Sequence, residues 1–173
     1  FNQIFIENRE LSYELSIKTY NDPSSTKNEK GIASYYLGKY FFEKDDEDNE
    51  NNLSKAYDYF KISSEKYNFA NAHEMLGIMY SNSIYVSQNY EKSNYYLEKA
   101  INEKNFASYG ILSDNYYFQG DWDKAELYAK KCIDFYDNTK IYATKKNQIS
   151  CTYDLAWFLS NHNMSDERNV EAI

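Results

Sequence analysis

His73, His162, Cys132 and Cys151 carry the most latent chemistry in this sequence, and none has the company such chemistry needs. A zinc site wants Cys, His or carboxylate ligands a few residues apart, yet His73 lies on a helical stretch and His162 in a polar turn about ninety residues later. Surface or packing roles follow for both. Cys132 takes the position that Ala100 holds in the preceding segment, and Cys151 that of Ala72, four residues before a Leu. Both positions want small buried side chains, so two packed thiols is the first reading. One helix ends and the next begins between them, which leaves a disulfide as the alternative. The acidic run at 43–50 invites comparison with a calcium loop, but it lacks the central Gly of an EF-hand, and Ala56 stands where its last Glu belongs. It reads as a solvated loop before a helix N-terminus, where negative charge is favoured. No phosphate-cradling Gly loop, Ser elbow or dinucleotide Gly pattern occurs. The expectation is a protein that is not an enzyme, with no catalytic residues, cofactor or metal.

The elements around these residues are helices in pairs. Leu37-Gly38 with Phe41, Leu76-Gly77 with Tyr80, Leu112-Ser113 with Tyr116, and Leu155-Ala156 with Leu159 each set a large, a small and a large residue at helical spacing. Ala56, Ser93, Ala125 and Ala172 mark the helices that follow. Small residues let two helices approach and large ones fill the grooves, so the chain is expected to be all-α: an α-solenoid, a right-handed superhelix of stacked antiparallel helix-turn-helix repeats. Residues 1–30 read as an N-terminal helix, a cap or the second half of an upstream repeat, closed by Asn21-Asp22-Pro23. Repeats follow at 31–67, 68–104 and 105–138, with a truncated one at 147–173. Gly120 suits the positive-φ position of a short turn, and Asp121 the cap of the helix after it.

Composition agrees. The 173 residues hold one Pro, five Gly, 20 Tyr and 10 Phe, which gives aromatic-rich helix packing with phenol hydroxyls at the surface. A formal charge of −8 disfavours tracking a phosphate backbone, and no apolar run reaches the roughly 18–20 residues of a membrane span. Two cysteines are too few for a disulfide framework and favour a reducing, cytoplasmic setting weakly. A start at Phe1 and an end at Ile173 inside a helical pattern read as a fragment of a longer parent, which could have lost a signal sequence.

The second repeat resembles a Sel1-like repeat, a cousin of the tetratricopeptide repeat with a longer inner turn. Ala70, Ala72, Leu76, Gly77, Met79, Tyr80, Val86, Gln88, Tyr90, Lys92, Leu97, Lys99 and Ala100 fall in its register. Ser83 and Tyr85 stand where that family has turn glycines, Asn89 replaces its Asp and Ser93 its Ala. The third repeat is similar to a tetratricopeptide repeat at Tyr109, Leu112, Ser113, Tyr116, Gly120, Trp122, Ala125 and Cys132. The resemblance covers about residues 31–173 and implies protein-protein scaffolding.

It also implies that first helices line a concave side. Residues flanking each marker Leu then point into the groove: Tyr35, Lys39 and Phe42; Glu74, Ile78 and Ser81; Gly110, Asp114, Tyr117 and Phe118; Tyr153, Trp157 and Ser160. Such an aromatic face suits an extended peptide or a partner helix. The expected partner is a protein or peptide, not nucleic acid, with oligomeric state open. The alternatives are a structural or oligomerising segment of a larger protein and, last, a helical enzyme domain.

Overall fold

Two short caps decide where the first helices begin. Asp22 accepts from the Ser24 amide at 2.8 Å and its hydroxyl at 2.7 Å, which closes the turn after α1 (Asn2–Asn21) and, through the Ser24 bonds, holds the Asp22 carboxyl below its ordinary value. Thr26 then caps α2 (Lys27–Phe42): its hydroxyl accepts from the Glu29 amide, and the Glu29 carboxylate accepts from the Thr26 amide at 2.7 Å. This reciprocal box satisfies two amides that a helix start leaves without partners. α3 (Asn49–Lys61) runs into a π-helical turn, Ile62–Lys66, before α4 (Ala70–Ser81) and α5 (Tyr90–Asn102). α6 (Ser108–Phe118) and α7 (Trp122–Asn138) complete the elements.

The structure, a computed structural model, describes residues 2–44, 48–138 and 151. The described residues contain seven α-helices and no strand, so they are all-α, and they are built from helical hairpins as solenoid repeats are. It divides into two units, Phe1–Asn105 and Phe106–Ile173. The fourth expected repeat lies outside the described residues apart from Cys151.

In the first unit, α2 with α3 and α4 with α5 form two hairpins built on one contact. A Cβ on Gly38 would lie 2.6 Å from the Phe60 ring, and one on Gly77 would lie 2.6 Å from Leu97. The glycine of the first helix is thus the seat of a large residue from the second. Leu37, Leu76, Ala56, Phe60, Ser93 and Leu97 are all completely buried. α1 adds an aromatic seam, with Tyr13 stacked 4.2 Å from Tyr40 and edge-on to Phe41.

A hydroxyl bridges the hairpin crossing where one is present. Ser93 on α5 donates to the Gly77 carbonyl at 2.7 Å; in the second unit Ser113, in the position of that glycine, donates to the Ala125 carbonyl at 2.7 Å. Donor and small neighbour have changed sides while the bridge persists. The π turn makes similar use of serine. Widening the helix there turns Ser63 and Ser64 inward, and Ser63 donates to the Gly31 carbonyl at 2.7 Å.

The turn between α4 and α5 keeps a glycine-like path without glycine, since Ser83 has φ 56° and Tyr85 φ 65°. Tyr85 recovers part of that cost by donating to Ser54 and packing near Tyr57. Ser83 makes only a 3.3 Å bond to the Val86 carbonyl. Ser83→Gly is therefore expected to stabilise the first unit by about 0.5–1 kcal/mol, the left-handed penalty less glycine's added chain entropy. Urea titration checks this; a loss of stability would show that the turn draws on the Ser83 side chain.

The second unit closes as expected at Gly120, with φ 78°, and Asp121, whose Oδ1 accepts from the Lys124 amide at 3.2 Å. Its cysteines differ from the packed-thiol reading. Cys132 and Cys151 form a disulfide, and Gly110 offers both sulfurs an open backbone surface, its Cβ position 3.6 Å from each. The bond withdraws the support that thiol usage lent to a reducing compartment. Cys132→Ser is expected to lower the second unit's stability by about 2 kcal/mol, the lower part of the usual range for a loop spanning 19 residues. Melting with and without reductant measures it, and the variant should no longer respond to reductant.

Candidate partner-binding face

Tyr35 and Glu74 belong to the first helices of successive hairpins, and the fold brings them onto common ground. Burial, with the Glu74 charge as the next cause, pushes the Tyr35 phenol up to about 12. Glu74 is itself half-buried, and that burial raises its carboxyl above the ordinary value against the opposing hydrogen bond from Asn105. The Asn105 amide donates to Glu74 Oε2 at 3.0 Å and to Asn71 Oδ1 at 3.2 Å. A carboxylate is thereby held in a fixed place, near enough to the Tyr35 phenol for its charge to act on it. Asn105 is a contributor that helix periodicity does not reveal, because it follows α5 and reaches back to α4.

The other expected residues of this unit spread along α2 and α4. Tyr35 also packs inward, its ring 5.9 Å from Phe60 and 5.3 Å from Phe69. Phe42 is half-buried at 6.1 Å from Phe60, and Ile78 is half-buried on α4. Lys39 pairs with Glu43 at 3.1 Å and, with Arg9 and Tyr36, lines a furrow between α1 and α2. In the second unit Tyr117 is half-buried against Ala125 and Ala129, with Phe118 5.4 Å and Trp122 4.9 Å away. Phe118 is 65 % and Trp122 42 % exposed. Asp114 is half-buried one turn before Phe118. Tyr153 and Trp157 lie outside the described residues.

The residues with most chemical potential are sealed. Ser64 Oγ lies 2.7 Å from His73 Nδ1, and His73 Nε2 lies 3.0 Å from Asn68 Oδ1. The Asn68 amide donates to Glu103 at 2.6 Å, which leaves Asn68 Oδ1 to accept, so His73 carries its proton on Nε2 and accepts the Ser64 hydroxyl on Nδ1. Burial, helped by the Lys99 charge and opposed by Glu103, lowers His73 to about 4. With Ser64 1 % and His73 0 % exposed, the pair meets no substrate in this arrangement; it ties the π turn to α4. Among the described residues no group of three or more His, Cys, Asp or Glu could hold a metal ion, and no helix is long and apolar enough to cross a membrane.

The Sel1 repeat family model matches residues 31–68 and 70–105, the two hairpins seated on Gly38 and Gly77. Comparison with curated proteins and with solved structures returned no match. Sel1 repeats are generally protein-interaction scaffolds and typically non-catalytic. Two of them stand in tandem here, and residues 31–105 form a pair of Sel1-like repeats.

Proposed function

We propose that the chain is a non-catalytic scaffold whose first-helix face holds a peptide or partner helix. Tyr35, Phe42, Glu74 and Ile78 serve it in the first unit, while Lys39 faces the furrow between α1 and α2 instead. Asp114, Tyr117 and Phe118 serve it in the second, and Tyr153 and Trp157 extend the set. The observation that carries this reading is the half-buried Glu74 carboxylate, fixed by Asn105 and sharing its surroundings with the Tyr35 phenol. A carboxylate in such a place gains more from a charge-assisted hydrogen bond than one in bulk water. The rings add contact area at little side-chain entropy cost. The occupant that fits is a segment presenting a basic side chain beside an apolar one, in keeping with the charge of −8.

Selection from a random peptide library on the immobilised chain is expected to enrich such segments. Glu74→Lys should weaken them at least tenfold while the far-UV spectrum and melting temperature hold, and Tyr117→Ala should weaken segments held by the second unit. Enriched peptides indifferent to Glu74→Lys would defeat the proposal. The structural alternative draws on Leu11 and Leu15, 64 % and 62 % exposed on one stripe of α1; self-association by light scattering, lost in Leu11→Ser with Leu15→Ser, would favour it.

A further inference from the structure

The furrow between α1 and α2 has two chemically distinct ends. One is a cavity of about 220 Å³ whose walls include Asn8, Arg9, Ser12, Tyr36 and Lys39. The other, of about 230 Å³, adds Leu15, Ile32 and Ala33 and shares Ser12 and Tyr36 with the first. Arg9 is held in place: one guanidinium nitrogen donates to the Glu43 carbonyl at 3.1 Å, and the group lies 5.6 Å from the centre of the Tyr40 ring. Its Nε is shielded from solvent and has no hydrogen-bond partner among the described residues. Of the carboxylates at the furrow, Glu43 on the first wall is engaged by Lys39, Glu29 on the second by the Thr26 amide and hydroxyl, and Glu10 beside it by the Tyr40 hydroxyl. In a chain of net charge −8, two cations on the wall of one concavity, Arg9 and Lys39, run against the general charge.

We propose that this furrow is a second docking site, which takes an acidic side chain of a partner protein at Arg9 and Lys39 and an apolar side chain of the same segment at Leu15, Ile32 and Ala33. A guanidinium presents a planar fork that matches a carboxylate, and Lys39 adds a point charge beside it. The lining runs along α1 from Asn8 to Thr19, about 16 Å at 1.5 Å per residue, which is the reach of about five residues of extended chain. A free inorganic anion would use only the first end. The occupant is the charge opposite of the one proposed for the Glu74 face, so the two sites should not share ligands.

The test is selection on the whole chain from a library of nine-residue peptides displayed as internal insertions, so that no peptide offers a free C-terminal carboxylate. Peptides with Asp or Glu within five residues of an apolar side chain are expected, with binding lowered at least tenfold by Arg9→Ala and by Lys39→Ala, largely retained in Arg9→Lys, and unchanged by Glu74→Lys. Should Arg9→Ala disturb folding, Lys39→Ala reads the same site from a surface residue. Absence of acidic peptides, indifference of acidic peptides to both alanine variants, or a dimer of the chain that Arg9→Ala dissociates would each overturn the proposal. Loss of the basic peptides alone would count against the Glu74 face and leave this site standing.

Discussion

Phe60→Ala is expected to cost the first unit about 3–5 kcal/mol and Gly38→Val about 2–3 kcal/mol, whereas the double variant should cost at least 1 kcal/mol less than the two losses added together. Phe60 is completely buried, and its truncation opens a hole that close-packed surroundings fill only in part. Gly38 has the reverse problem, because any Cβ there would sit 2.6 Å from the Phe60 ring. A ring moves as one rigid body and cannot yield as a flexible chain end does. Remove the ring, and the valine methyls enter the space it leaves, so the second change should hurt less in that background. Gly38→Ala should fall between, since helix propensity returns about 1 kcal/mol of the steric loss. Urea titrations of the four proteins measure the cycle. Strict additivity would mean that α2 and α3 shift apart to accept the valine, and that the glycine does not set how closely they cross.

That contact was legible in the order of residues because it obeys a local rule. Leu37, Leu76 and Leu112 precede a small residue at each first helix, and all three are completely buried. Whether Ser93 would serve as well as an alanine could not be read from periodicity, since its hydroxyl finds the Gly77 carbonyl 16 residues away. The π turn has the same origin, with Ser63 answering a carbonyl 32 residues distant. Counting from the marker leucines put Tyr35 and Glu74 on one face. It gave no measure of depth, because the Phe60 and Phe69 rings that draw Tyr35 inward come from other elements. Positive φ at Ser83 and Tyr85 was signalled by the resemblance alone, which has turn glycines at those positions; neither residue type favours that conformation by itself. The disulfide depends on how near Cys132 and Cys151 come in space, and helical spacing carries no information on that distance.

Acid should loosen the first unit through one imidazole. His73 is fully buried, with Ser64 and Asn68 at its two nitrogens and Lys99 and Glu103 as the charged groups acting on it from α5 and the residue beyond its end. Its folded value of about 4 lies below the 6.5 of an exposed imidazole, so between those values the unfolded chain binds the extra proton. Stability must then rise with pH across that window. The contribution is complete above about pH 6.5 and declines as pH falls toward 4. Its size is on the order of 3 kcal/mol, because each tenfold difference in proton affinity between the folded and unfolded chain is worth about 1.4 kcal/mol. Glu74, whose carboxyl is raised by burial, acts in the opposite sense at the acid end, because its protonation relieves a buried charge. His73→Gln, neutral at every pH, should flatten the profile between 4 and 6.5 even where it lowers stability throughout. Urea midpoints at half-unit steps of pH, for the wild-type chain and for His73→Gln with and without Glu74→Gln, separate the two groups. Parallel profiles for wild type and His73→Gln would show that the imidazole accepts its proton in place, with the Ser64 hydroxyl turning from donor to acceptor, and that the tie between the π turn and α4 survives charging.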